Sequence, residues 1–337
     1  MQRKMLQTVT TTGVDLDSVY SQTLQKIKEQ KGDRPRLGME VLMWVSHAKR
    51  ALRIDELCHA LAVDVEATDL DPQKIRLQDT VLGSCLGLVM VEKNTSLVRV
   101  IHDTLQGYLS RPGILSSVHE ILGETCLAYL NYDQVKRLST KNVGDLRHMP
   151  FLEYSSLFWD SHAKIELSDR GKALAIELLN QLQSHISFTF FSKNIWAPQS
   201  PLFLHGSTSL HCASSLGIGA LVARLIETKN CDINQVDSIS YTPLMRAVTG
   251  QNHEAVRLLL TCEGIDPDKA TSDGQTPLLS ACSYGDVEMV RLLIEGGANP
   301  YKAGSDGKTP LEKASCRRNM QMVALLQRQA ITMSDLE

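Results

Sequence analysis

"DGQTPLLSACSYGDVEMVRLLIEGGANP", residues 273–300, decides how the second half of this chain folds. Thr276-Pro277 leads an apolar pair, Ala281 follows five residues after the Thr, and "MVRLLI" (289–294) forms a second apolar block. Read at helical spacing, this is a pair of short helices. Pro suits the first helical turn, where its missing N–H would have no partner anyway. Gly285 suits the turn between the helices, where positive φ is easy only for glycine.

Working outward, the same phrase recurs. "TSLH" starts at 208, "TPLM" at 242, "TPLL" at 276 and "TPLE" at 309, so the spacings are 34, 34 and 33 residues. Ala213, Ala247, Ala281 and Ala314 each follow their Thr by five, and "LVARLI", "AVRLLL", "MVRLLI" and "MVALLQ" follow in turn. The small Ala lets paired helices approach closely, and the leucines bury between neighbours. This period and phrase resemble the ankyrin repeat. No single repeat covers its own apolar face, so the resemblance implies a solenoid that is stable only as a stack.

Ankyrin proteins are overwhelmingly protein-binding scaffolds that use hairpin tips and the first-helix face. By that resemblance the partner-binding candidates are Ile239, Tyr241, Ser272, Gln275, Ser305 and Lys308. The tips form no aromatic cluster or charge stripe that would name the partner. Departures from the phrase carry their own expectations. Arg318 stands where the turn glycine is usual, among Arg317, Asn319, Gln321 and Gln327, which reads as a polar C-terminal cap. Gln251 replaces the turn glycine of the second repeat with Gly250 one place early, which predicts a distorted turn. His211 falls at the family's TPLH histidine and is expected to bond between repeats rather than to bind metal.

The first half reads differently. Leu37, Val41, Trp44/Val45 and Ala48 repeat at helical spacing, as do Ile54, Leu57/Cys58 and Leu61, and a third helix is expected over 75–87. "LVMVEKNTSLVRVI" (88–101) reads as two short strands around a polar turn at 93–96. Asp103 or Thr104 is expected to cap a following helix that stops at "RPG" (111–113). Three helices followed by a hairpin make a winged helix. A DNA reader carries a clustered basic footprint, and the third-helix region has only Lys74 and Arg76, with Asp79 nearby, so nucleic acid is a poor match.

"LDSVYSQTLQKI", "RLGMEVLMWVSHAKRALRIDELCHALAVD", "VRVIHDTLQGYL" and "FLEYSSLFWDSHAK" resemble the segment of fungal NACHT–ankyrin proteins between the NTPase core and the repeats. In related signal-transducing NTPases a histidine of a Met-His-Asp-like motif contacts the ADP phosphates. Ile101-His102-Asp103 takes that place, making His102 a relic nucleotide sensor by resemblance.

Phosphate binding needs a G-x-x-x-x-G-K-[ST] loop, and none occurs. "GSDGKT" (304–309) has two residues between its glycines and enters the last repeat. Residues 1–34 are too short for an NTPase domain. There is no G-x-S-x-G elbow and no H-E-x-x-H, so no enzyme, cofactor or metal is expected. Net charge is nearly balanced, 35 basic against 38 acidic residues among 337, with 43% hydrophobic content. Nothing global points to nucleic acid or an anionic membrane. No apolar run approaches the roughly 20 residues that span a bilayer, and "MQRKMLQTVTTTG" lacks the core of a secretory signal. The cysteines are scattered with no C-x-x-C, as expected for reduced thiols in an intracellular protein, cytoplasmic rather than nuclear.

The expected fold is mostly α: a helical remnant over 1–34, a winged helix over 35–112, a helical connector over 113–196 and four ankyrin repeats over 202–330, the last a cap. Phe188, Phe190, Phe191 and Trp196 are expected to seal the connector against the first repeat. The expected function is a non-enzymatic protein-binding scaffold. The alternatives are a fragment of an ATP-dependent switch and a winged-helix DNA regulator.

Overall fold

The computed structural model describes residues 16–138, 146–182, 184–187, 190, 206–228 and 231–334. The chain divides into two compact units, residues 1–174 with 185–191 and residues 175–184 with 192–337. Phe188, Phe191, Trp196 and the proline-marked "APQSPLF" (197–203) lie outside the described residues.

In the first unit, α1 (Leu16–Lys28) buries Tyr20, Leu24 and Ile27 and packs on α2 (Arg34–His47). The expected stripe of α2 is present, with Leu37, Val41 and Trp44 no more than 2% exposed. Gly38 is required at this crossing. A Cβ there would lie 2.7 Å from both the Ile27 side chain and the Ser84 carbonyl oxygen.

Helix α3 (Ile54–Ala60) is fixed by Glu56, whose buried carboxylate accepts the Arg53 N–H at 2.8 Å and two Arg50 guanidinium bonds at 2.8 Å each. A short turn at Pro72–Lys74 precedes α4 (Gln78–Ser84), which is shorter than the expected 75–87. Leu77 is still extended at its start, and Leu86 and Gly87 turn the backbone to φ 49° and 85° just beyond its end. Strands β1 (Val89–Val91) and β2 (Val98–Val100) pair antiparallel, with Met90 opposite Arg99. The Val98 N–H also reaches the Leu52 carbonyl at 2.8 Å, which ties the hairpin to the start of α3. This is a winged helix.

The cap of α5 (Asp103–Leu109) differs from expectation. His102, not Asp103 or Thr104, is the N-cap. Its backbone is extended (φ −157°, ψ 143°), and its Nδ1 accepts the Thr104 N–H at 3.2 Å. Helical dihedrals already begin at Asp103, so the capping role passes to the residue before it.

Behind the wing, α6 (Val118–Asn131) packs on α8 (Leu152–Ala163), with the short α7 (Asp133–Lys136) between them in sequence. The buried rings of Trp44, Phe151 and Tyr129 meet edge to face, with centroids 5.4 and 5.2 Å apart along the series. Such pairs add about 0.5–1.5 kcal/mol beyond the burial itself. The division between the units falls within the next helix, α9 (Asp169–Asn180).

The second unit is a stack of helix pairs: α10 (Ser209–Leu216) with α11 (Gly219–Glu227), α12 (Pro243–Thr249) with α13 (His253–Leu260), α14 (Pro277–Tyr284) with α15 (Val287–Glu295), and α16 (Pro310–Cys316) with α17 (Met320–Ser334). Thr208, Thr242, Thr276 and Thr309 are each extended. Each hydroxyl caps its helix by accepting the N–H three residues on, at 3.4, 3.1, 3.2 and 3.3 Å. The four alanines of the phrase are all 0% exposed.

The second-repeat turn is not distorted. Gln251 takes φ 55° where Gly217 and Gly285 take 73° and 83°, and Arg318 takes 56° at the same position of the fourth repeat. The stack dictates the dihedral whatever side chain is present. The hairpins repeat this behaviour, with Ser240 at φ 65° among Gly206, Gly274 and Gly307 at 83°, 75° and 73°.

Polar clasps join successive repeats. The Asn234 amide donates to the Gly264 carbonyl at 2.7 Å and accepts the Asp266 N–H at 2.9 Å. Asp268 accepts the Asn299 N–H at 2.9 Å. Asn252 donates to the Ser214 and Ser215 carbonyls at 3.0 and 2.7 Å.

Candidate interaction surface

Three hairpins close with one bond in the same register: Asp237 N–H to Tyr241 O at 3.0 Å, Thr271 N–H to Gln275 O at 2.9 Å, and Gly304 N–H to Lys308 O at 3.0 Å. Tyr241, Gln275 and Lys308 therefore form a row across three repeats. Ser272 and Ser305 are also equivalent to each other, whereas Ile239 is in register with Asp273 and Asp306. The Ser305 hydroxyl donates to the Asp273 carbonyl, and a Cβ on Gly274 would lie 2.8 Å from the Ser305 nitrogen. The tips thus stack into a ridge. Ser272, Ser305 and Lys308 are exposed on it, while Ile239, Tyr241 and Gln275 are half-buried.

Tyr241 is partly committed to the fold. The Arg246 guanidinium lies 4.7 Å from its ring centre and pairs with Asp237, whose second oxygen accepts the Ile239 and Tyr241 N–H groups at 3.0 Å each. His211 bridges the first repeat to this hairpin. Its Nδ1 accepts the Thr208 N–H at 3.1 Å, which leaves Nε2 as the donor to the Tyr241 carbonyl at 3.0 Å. Burial pushes its imidazole below the usual pKa, as suits a neutral structural histidine.

The first-helix face carries a feature that the tips alone did not predict. A pocket of about 190 Å³ on the fourth repeat is lined by Ser283, Asp306, Lys308, Lys313, Cys316 and Arg317. Lys313 Nζ lies 3.3 Å from Asp306 Oδ2 and 3.5 Å from Gln275 Oε1. No ion pair joins Lys308 or Arg317 to a carboxylate among the described residues. Tyr284, beside Ser283, is 46% exposed. The signal was present in the sequence, because Lys313 in α16 and Arg317 at its C-terminal cap stand four apart and so share a face.

On the winged helix, His102 is exposed but engaged. Besides capping α5, its Nδ1 is 2.8 Å from Thr104 Oγ1, which is 2.7 Å from the Tyr20 hydroxyl. Lys74 pairs with Asp64 at 2.6 Å, and Arg76 pairs with Asp33. A groove of about 660 Å³ runs between α2, the end of α3 and α6, with Arg36, Arg76, Glu40, Asp64 and Glu124 along it. Burial raises the carboxyls of Glu40 and Glu124 above their ordinary values. Among the described residues, no three His, Cys, Asp or Glu side chains group so as to hold a metal. No helix among them is long and apolar enough to cross a membrane.

Comparison with known families agrees with this architecture. Residues 24–119 match the family described as GPI inositol-deacylase, winged helix domain, and residues 175–271 and 261–335 match ankyrin repeats (3 copies). Similar segments occur in ankyrin repeat protein nuc-2 of Neurospora crassa, 35% identical over 95 residues, which is 28% of this chain and 9% of that protein. The human neurogenic locus notch homolog protein 4 is 33% identical over 102 residues, 30% of this chain and 5% of that protein. A putative ankyrin repeat-containing protein of Treponema pallidum is 37% identical over 95 residues, 28% of this chain and 31% of that protein. The chain therefore spans less than a third of each of these relatives.

Proposed function

From a chain that carries a winged-helix domain followed by ankyrin repeats, we propose a non-enzymatic protein-binding scaffold that holds its partner on the hairpin ridge and the adjoining first-helix face. The observation that carries this reading is the in-register ridge, where Ser272, Ser305 and Lys308 stand exposed across two repeats, with Ser305 also bonded to the Asp273 carbonyl. Ankyrin relatives from a fungus, a bacterium and a human protein support the same coarse role. The ion pairing of Lys74 and Arg76 weighs against duplex DNA as the winged helix's ligand, because a DNA reader needs free cations. Eight unpaired cysteines, several of them buried, fit a reducing intracellular setting.

By resemblance, the winged-helix block corresponds to the regulatory part of a NACHT–ankyrin receptor. A second reading, a piece of an ATP-dependent switch, rests on that resemblance and on the exposed His102 ring at the position of the sensor histidine. In-frame upstream sequence encoding a P-loop would establish it.

The test of the scaffold uses photo-crosslinkers placed at Ser272 and Ser305 of the full chain in its native cell type. Discrete adducts should form, and Gln275→Arg with Lys308→Glu, at neighbouring positions of the ridge, should remove them. Adducts indifferent to those substitutions, or turnover of ATP by the purified chain, would overturn it.

A further inference from the structure

The cations of the ankyrin face are not spread along it. At the position four residues after each phrase Thr, the successive repeats carry Cys212, Arg246, Ser280 and Lys313. Arg246 is withdrawn into its pair with Asp237. Eight residues after the Thr the series is Leu216, Gly250, Tyr284 and Arg317. At these two positions, among the described residues, cations outside a buried pair occur only in the fourth repeat, where Lys308, Arg317 and Lys313, the last paired with Asp306, line a single pocket. A polar solenoid cap needs solvated side chains, and the exposed Arg318 and Gln321 supply them. It does not need three cations around one concavity.

We propose that this pocket receives a short carboxylate-bearing segment of a protein partner. This rests on the scaffold reading above and names the chemistry of what the scaffold holds. At about 190 Å³ the pocket is smaller than the roughly 300–1,000 Å³ of small-molecule sites. It is sized for side chains. Nucleic acid would need a basic stripe running across repeats, and the neighbouring Gln275, Ser280 and Tyr284 carry no charge. The site already holds one carboxylate. Asp306 accepts the Lys308 N–H, a bond that together with Lys313 and the Lys308 charge holds its carboxyl below the ordinary value.

The experiment measures fluorescence polarisation of labelled hexaglutamate, hexaglutamine and hexathymidylate with the full chain. Hexaglutamate should bind about tenfold or more tighter than hexaglutamine, and should weaken with salt. Lys308→Glu with Arg317→Glu should remove that preference. Asp306→Asn should tighten hexaglutamate about threefold, a gain that misfolding cannot mimic. Equal binding of the two peptides, insensitivity to the charge reversals, or a preference for the oligonucleotide would overturn the assignment. If hexaglutamate is ignored while the Ser272 and Ser305 crosslinkers still capture a partner, the pocket assignment fails and the scaffold stands.

Discussion

Arg246 and Asp237 form an ion pair sealed from water, with side chains 1% and 0% exposed and Nε to Oδ2 at 2.8 Å. The pair is incompletely satisfied, since Arg246 Nη1 makes no hydrogen bond. Removing one partner of a buried pair costs about 3–5 kcal/mol, whereas removing both with volume kept can be neutral. Asp237→Ala should therefore destabilise the repeat stack by about that amount. Arg246→Met with Asp237→Ala should recover at least half of the loss. Urea unfolding followed by helical circular dichroism reads both. A single-variant loss under about 1 kcal/mol would show that the pair is not strained by burial.

Three residues other than glycine hold positive φ where the repeat expects glycine: Ser240, Gln251 and Arg318. The left-handed region costs an L-residue about 1–2 kcal/mol, and glycine returns about 0.5–1 kcal/mol of that through unfolded-state entropy. Each change to Gly should thus stabilise by about 0.5–1 kcal/mol. A consistent shift of the urea midpoint to lower concentrations would refute the account.

The first unit should weaken in mild acid. His162 is held down to about 3, by burial first and then by the positive fields of His119, Lys49 and His47. His185 is held down to about 4, by burial against a partly compensating bond to the Leu130 carbonyl. Both values lie below the ordinary 6.5, so the unfolded chain takes up the proton first as pH falls. Stability is full above pH 6.5 and declines from there toward about 4, by about 1.4 kcal/mol per pH unit for each histidine. His185→Gln should flatten the slope of stability against pH between 6 and 4.5, roughly by half. An unchanged slope would remove histidine burial as the cause.

His102 carries a structural duty that can be separated from nucleotide sensing. His102→Ala should cost about 1 kcal/mol through the lost cap of α5, whereas His102→Asp or His102→Ser should retain most of the stability. Millimolar Mg-ATP should leave the melting temperature unchanged, because only a ligand that binds the folded state raises it. A rise that disappears in the Ser variant would instead favour the switch reading.

These results separate what the chain shows on its face from what only packing reveals. The Thr phrase placed every helix pair of the stack, because cap, proline and alanine act within one helical turn and need no distant partner. The wing hairpin was legible for the same reason. The cap of α5 was misassigned because Asp103 is the better capping residue by type, and only the extended backbone at His102 shows where helical dihedrals begin. The distortion expected at Gln251 failed because the neighbouring repeats impose the dihedral. At the site, the ridge residues were legible by resemblance. The spacing of Lys313 and Arg317 is written in the sequence, but there Arg317 reads only as part of a polar cap. The burial of Arg246 could not be read at all, since an arginine on a helix gives no sign that an aspartate nine residues earlier will be folded over it.

The clasps made by Asn234, Asn252 and Asp268 each reach a main-chain group of an adjacent repeat. Stretched between its ends, the solenoid has no weak seam at those joints. Once an outer pair peels away, the joint beneath it still holds its own fastenings. Tension should therefore produce a staircase of single-repeat steps rather than one long rip.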